Sequence, residues 1–107
     1  MPKYLVKASY SAEGTRGLLR DGGSGRHEAV EGLINSLGGT LESFHYAFGE
    51  EDLYWICDMP GHAELVAMSL AINSARGARV STIPLLSLEE VDSAIHKATI
   101  YRPPGTG

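Results

Sequence analysis

What most limits the folds open to this chain is the order of its hydrophobic periods. Lys3 to Tyr10 alternates, with Tyr4, Val6, Ala8 and Tyr10 on one side and Leu5, Lys7 and Ser9 on the other, which predicts a first strand. Ser11 to Leu19 carries Leu18 and Leu19 but also Gly14 and Gly17, so it reads as a weak helix of a turn or two that Asp21-Gly22-Gly23 ends. Ser24 to Leu37 spaces Ala29, Val30, Leu33, Ile34 and Leu37 along one stripe of an amphipathic helix. Gly38-Gly39 supplies its stop, because glycine takes the left-handed cap conformation without a Cβ penalty.

Thr40 to Phe48 alternates again and sets Thr40, Glu42, Phe44, Tyr46 and Phe48 against Leu41, Ser43, His45 and Ala47. Asp52 to Met59 is almost continuously apolar through Leu53, Tyr54, Trp55, Ile56 and Cys57, as expected of a central strand buried on both faces. These two strands form a hairpin. After Pro60-Gly61, Ala63 to Ser74 has the length and composition of a mostly buried helix, and Arg79 to Leu86 is a fourth strand whose Pro84 suits an edge or a strand end. Ser87-Leu88-Glu89-Glu90 is a capping box, opening a last helix with the stripe Val91, Ala94, Ile95 and Ala98.

The resulting order, βαββαβα, is the split βαβ pattern of the ferredoxin-like α+β fold with an added C-terminal helix. Helices then cover one face of a four-stranded antiparallel sheet. Both parities of several strands are apolar or aromatic, so the other face also calls for burial, and a second copy's sheet is the simplest cover. A dimeric α+β barrel is the expected architecture. With 107 residues, the chain suits one domain over residues 1–100, followed by a Pro/Gly tail over 101–107.

Composition narrows the function classes. Nine Lys plus Arg against thirteen Asp plus Glu give a formal charge of -4 with no run of like charges, which argues against a nucleic-acid surface. No window is long and apolar enough for a membrane span, and the opening residues lack the apolar run of a signal peptide. With a single cysteine, Cys57, unable to form an internal disulfide, a cytoplasmic protein is the expectation.

Several segments together resemble the GYD-domain family of small bacterial proteins. They are the opening Lys3 to Tyr10 with Glu13-Gly14, Gly22-Gly23 followed by Arg26, Leu37-Gly38-Gly39, above all Phe48-Gly49-Glu50-Glu51-Asp52, and the closing Tyr101-Arg102-Pro103-Pro104-Gly105. The family's Gly-Tyr-Asp signature stands here as Gly49, Glu50-Glu51 and Asp52, without the tyrosine and with one extra acidic position, so no role of that tyrosine carries over. The resemblance spans roughly residues 2–104. It implies a ferredoxin-like, dimeric α+β barrel, and brings no common activity, cofactor or catalytic residue with it.

Three constellations are candidates for chemistry. Lys7, Ser9 and His45 share strand parities that place them on one sheet face, with Tyr54 or Trp55 on the adjacent strand. There His45 is a candidate base, and Lys7 or Tyr54 a candidate oxyanion stabiliser, with Ser9 and Trp55 as ligand contacts. The plainer reading is an exposed lysine and a satisfied histidine at a rim. Glu50, Glu51 and Asp52 crowd one turn as a cation or acid/base site, or form a solvated hairpin tip; the spacing is not that of a calcium loop. Arg16, Arg26 and His27 flank a glycine-rich loop that can hold an anion or simply connect two elements.

Cys57 reads as a small core hydrophobe, no metal set or cofactor motif stands out, and the tyrosines read as core or interface aromatics. Three functions remain, the first two being a homo-oligomer, dimer or higher, binding a small molecule between sheet and helices, and a cofactor-independent isomerase or monooxygenase acting on an aromatic or enolic substrate. A partner-binding module is a third.

Overall fold

A computed structural model describes residues 1–105 of the chain. Its elements run β1 (Lys3–Tyr10), α1 (Ala12–Ser36), β2 (Thr40–Tyr46), β3 (Leu53–Asp58), α2 (His62–Ser74), β4 (Ala78–Leu85) and α3 (Leu88–Ile95). The four strands form one antiparallel sheet in the order β2-β3-β1-β4, the ferredoxin-like arrangement with an extra C-terminal helix. β1 and β3 occupy the middle, and β4, with its Pro84, lies on an edge where a missing N–H costs no ladder bond.

The core sits between the sheet and the first two helices. Tyr4, Val6 and Ala8 of β1, Leu53, Trp55 and Cys57 of β3, and Val80 of β4 pack with Val30 and Ile34 of α1 and Leu65 and Met68 of α2. Each large side chain removed from water here contributes about 1.5–3 kcal/mol. β3 alternates strictly between buried and half-buried residues, so only its helix-side face is fully buried. Its other face, expected to be buried as well, is left half open.

Three details depart from the sequence reading. Two helical segments precede β2 and divide at Gly22 as expected, where φ of 76° and ψ of 168° are non-helical, but the first runs from Ala12 to Asp21 and so exceeds the expected turn or two, and the pair forms one kinked element. The expected anion-holding loop around Arg16, Arg26 and His27 is therefore helical along most of its length. β2 contains a register shift between Leu41 and Ser43, which turns Leu41 to the core side alongside Phe44 and Tyr46, against the expected parity. Finally, α3 has its capping box but ends at Ile95, leaving Ala98 beyond it, and its apolar stripe packs on nothing: every residue from Leu86 to Gly105 is exposed.

Ser11 joins the two halves of the fold. Its side chain accepts from the Gly14 amide to cap α1, while its hydroxyl donates to the carbonyls of Arg76 (2.7 Å) and Gly77 (3.1 Å) in the α2–β4 turn. Gly14 lies so close to that turn that a Cβ would stand 1.7 Å from the Gly77 carbonyl oxygen. A side chain at position 14 would push the start of α1 off the sheet.

Candidate functional site

Two regions collect polar side chains, one on each side of the sheet. On the face without helices, cross-strand register sets His45 opposite Tyr54, Tyr54 opposite Lys7, and Lys7 opposite Ser81. Facing pairs share a sheet face, so the three residues expected to act together do form one row. Beside it, Lys7, Ser9, Glu51, Arg79 and Ser81 line a shallow cavity of about 120 Å³, and the Ser9 hydroxyl donates to the Glu51 carboxylate. Lys7 and Arg79 have no ion pair among the described residues. At the far end of the face, Lys3 Nζ lies 2.7 Å from Glu42 Oε1 and 3.1 Å from Asp58 Oδ1, and these bonds, Glu42 first, hold its pKa above the usual lysine range.

Trp55, weighed as a neighbour of this row, lies on the opposite face. It is 2% exposed, stacks on Phe44 with ring centroids 5.8 Å apart, and its indole N–H is the one buried side-chain group without a hydrogen-bond partner among the described residues. The acidic turn separates into parts. Asp52 Oδ2 accepts from the Tyr10 amide at 2.8 Å and so terminates β1, Glu51 is engaged by Ser9, and Glu50 is exposed. Among the described residues no group of three His, Cys, Asp or Glu is placed to hold a metal ion. Cys57 is fully buried, and burial pushes its thiol up to about 11.

The larger region lies on the helix side, along both segments of α1. A cavity of about 380 Å³ opens between α1, α2 and the adjoining ends of β1 and β4. Leu33, Ile72 and Ala75 give it an apolar floor, Tyr10 lies at its end, and Arg20 and Arg26 bring guanidinium groups, with Glu13 and Asp21 also present. Arg26 lies 3.4 Å from Asp21, in a loose pair whose partners are both more than a third exposed. Such a pair is worth little in water and can be exchanged for a ligand's charge.

Tyr46 secures the kink above this cavity by donating from its hydroxyl to the Gly23 carbonyl at 3.0 Å. Its hydroxyl is pushed up to about 12, first by burial and then by the neighbouring Tyr10, with Arg26 opposing. Of the residues expected to bind a ligand, only Arg26 reaches this cavity. Tyr10 and Arg20 were missed there, although Tyr10 shares the helix-facing parity of Tyr4, Val6 and Ala8 and so carried a usable signal.

A family model described as GYD domain matches residues 4–95, from β1 through the end of α3. No curated protein matches the chain.

Proposed function

The chain belongs to the GYD-domain family, and from that premise we propose that it is a homo-oligomeric small-molecule-binding protein. In this reading two sheets pack through their open faces, and each copy takes a small organic acid with an apolar body into the cavity under the α1 kink. The observation that carries the reading is the composition of that cavity. Its volume of about 380 Å³ falls in the range of small-molecule sites, and an apolar floor with convergent arginines and a tyrosine can fix one end of a ligand. Because it opens on the helix side, it stays accessible when the sheet face is covered.

The same reading takes residues 1–100 as one folding unit and places the protein in a bacterial cytoplasm, in keeping with its single unpaired cysteine. Nucleic acid has no part in it, given the acidic balance of the chain. No helix among the described residues is long and apolar enough to cross a membrane.

Native mass spectrometry of gently purified full-length protein, followed by denaturing release, tests the proposal. The expected result is a multimer carrying a stoichiometric small acid that Arg20→Ala/Arg26→Ala protein no longer retains. A released molecule without an acid group, or one retained by the double variant, overturns the assignment to this cavity.

One observation favours a second reading, a cofactor-independent isomerase or monooxygenase. The His45–Tyr54–Lys7 row becomes enclosed when two sheets stack, which gives a base and an oxyanion partner a drier setting. Turnover of enolic or aromatic test substrates that His45→Gln abolishes would support it, and turnover unaffected by that change would remove it.

A further inference from the structure

We infer that α3, with the exposed Ile100 and Tyr101 beyond it, is an exchange arm that packs against a second copy of this chain. This rests on the face-to-face reading above and extends it to a segment that the stacked sheets alone leave uncovered. An isolated helix of eight residues is marginal in water even with good caps, because nucleation costs more than so few hydrogen bonds return. α3 nevertheless has a complete capping box and a clear stripe of Leu88, Val91 and Ile95, of which Leu88 is 81% and Ile95 70% exposed. Ile100 and Tyr101 continue the exposed apolar series beyond it. Only Leu86 and Ser87 separate β4 from the helix, and the molecule measures 60 by 32 by 22 Å, so the arm projects away from its own sheet.

Area and charge point to a second copy as the occupant. Four strands spaced about 4.8 Å apart and about 20–25 Å long offer a face of roughly 400–500 Å². A standard stable interface buries about 800 Å² per partner, so the sheet face alone falls short and the arm supplies apolar surface of the right kind. The open face carries Lys7 and Arg79 without ion pairs, and α3 carries Glu89 and Asp92 likewise without ion pairs among the described residues. With Lys3 already paired to Glu42 and Asp58 and Glu51 bonded to Ser9, Lys7 and Arg79 are the cations the face can offer to Glu89 and Asp92 of a second copy's arm, and a two-fold axis provides both contacts twice.

The test combines sedimentation equilibrium with hydrogen–deuterium exchange on the full chain, Val91→Glu and Ile83→Glu. Val91 is exposed on α3 and Ile83 is exposed in the sheet, so neither change disturbs the core. The expected result is a dimer in which residues 88–95 are protected at high concentration and lose protection on dilution, and a dissociation constant raised about ten- to a hundredfold by Val91→Glu. A dimer that Ile83→Glu dissociates, but whose residues 88–95 exchange freely and whose affinity ignores Val91→Glu, overturns the arm and leaves the stacked sheets standing. A monomer at up to about 100 μM, where standard interfaces are populated, overturns both. A monomer with residues 88–95 protected shows the helix folding onto its own chain and likewise rejects the arm.

Discussion

The Tyr4 hydroxyl lies 2.6 Å from Nδ1 of His62, joining the middle of the sheet to the first residue of α2. Tyr4 is 1% exposed, and its hydroxyl reaches through the core to this one partner, with the two rings edge to face at 5.9 Å. Replacing Tyr4 by Phe removes the bond and little volume, and is expected to cost about 1 kcal/mol in urea unfolding. A double-mutant cycle with His62→Ala should show a coupling of about 0.5–1 kcal/mol, and additive losses would mean that the contact contributes nothing.

Tyr46 makes the stability dependent on alkaline pH. Its pKa is about 12 in the folded protein against 10.0 for an ordinary tyrosine, so folding favours the neutral phenol. The stability linked to this group is complete below pH 10 and falls as pH rises through about 12. Tyr46→Phe should flatten that decline in the unfolding free energy. Absorbance titration should show a late-ionising tyrosine that is lost in Tyr46→Phe, and a titration curve that keeps this late step in the variant would contradict the arrangement.

Two backbone positions give opposite predictions. Arg76 follows the C-cap of α2 with φ of 65°, a left-handed conformation that suits glycine better than any branched side chain. Arg76→Gly is expected to raise stability by about 0.5–1 kcal/mol in thermal or urea unfolding. Gly14→Ala, forced against the Gly77 carbonyl, should lower it by about 3 kcal/mol or more, and a smaller loss would show that α1 can shift without penalty.

Cys57 offers a probe of global opening. A fully buried thiol with a pKa of about 11 presents almost no thiolate to solvent at neutral pH. A thiol-specific reagent should label native protein only as fast as the molecule unfolds, and at once in denaturant. Rapid native labelling would mean that the sheet opens locally around β3.

Element order and most boundaries were readable from the chain, since alternation and helical spacing are local and each buried strand repeats them. The Lys7, Tyr54 and His45 row was readable for the same reason, because one parity per strand suffices to put them together. Trp55 was harder to place: a strand apolar at every position carries no parity signal, and only its pairing with Val6 and Phe44 assigns it to the core. The break in α1 at Gly22 was readable, but the length of helix before it was not, because Gly14 and Gly17 lower the local propensity and only tertiary packing, such as that of Gly14 on Gly77, offsets them. The cavity was missed because its lining comes from β1, α1, α2 and β4 together, a tertiary combination that no local pattern records.

The register shift in β2 has an implication for chain length. Leu41 faces Cys57 and Ser43 faces Ile56, so Glu42 is the one residue of the strand with no partner of its own on β3. Removing it would shorten the sequence and leave every later pair, Phe44 with Trp55 and Tyr46 with Leu53 among them, where it stands. Removing Ser43 would have the same result, with Glu42 taking its place opposite Ile56, whereas removing His45 would turn Tyr46 outward. β2 therefore has one place, the Glu42-Ser43 bulge, at which its length is free to vary, next to a stretch in which it is fixed.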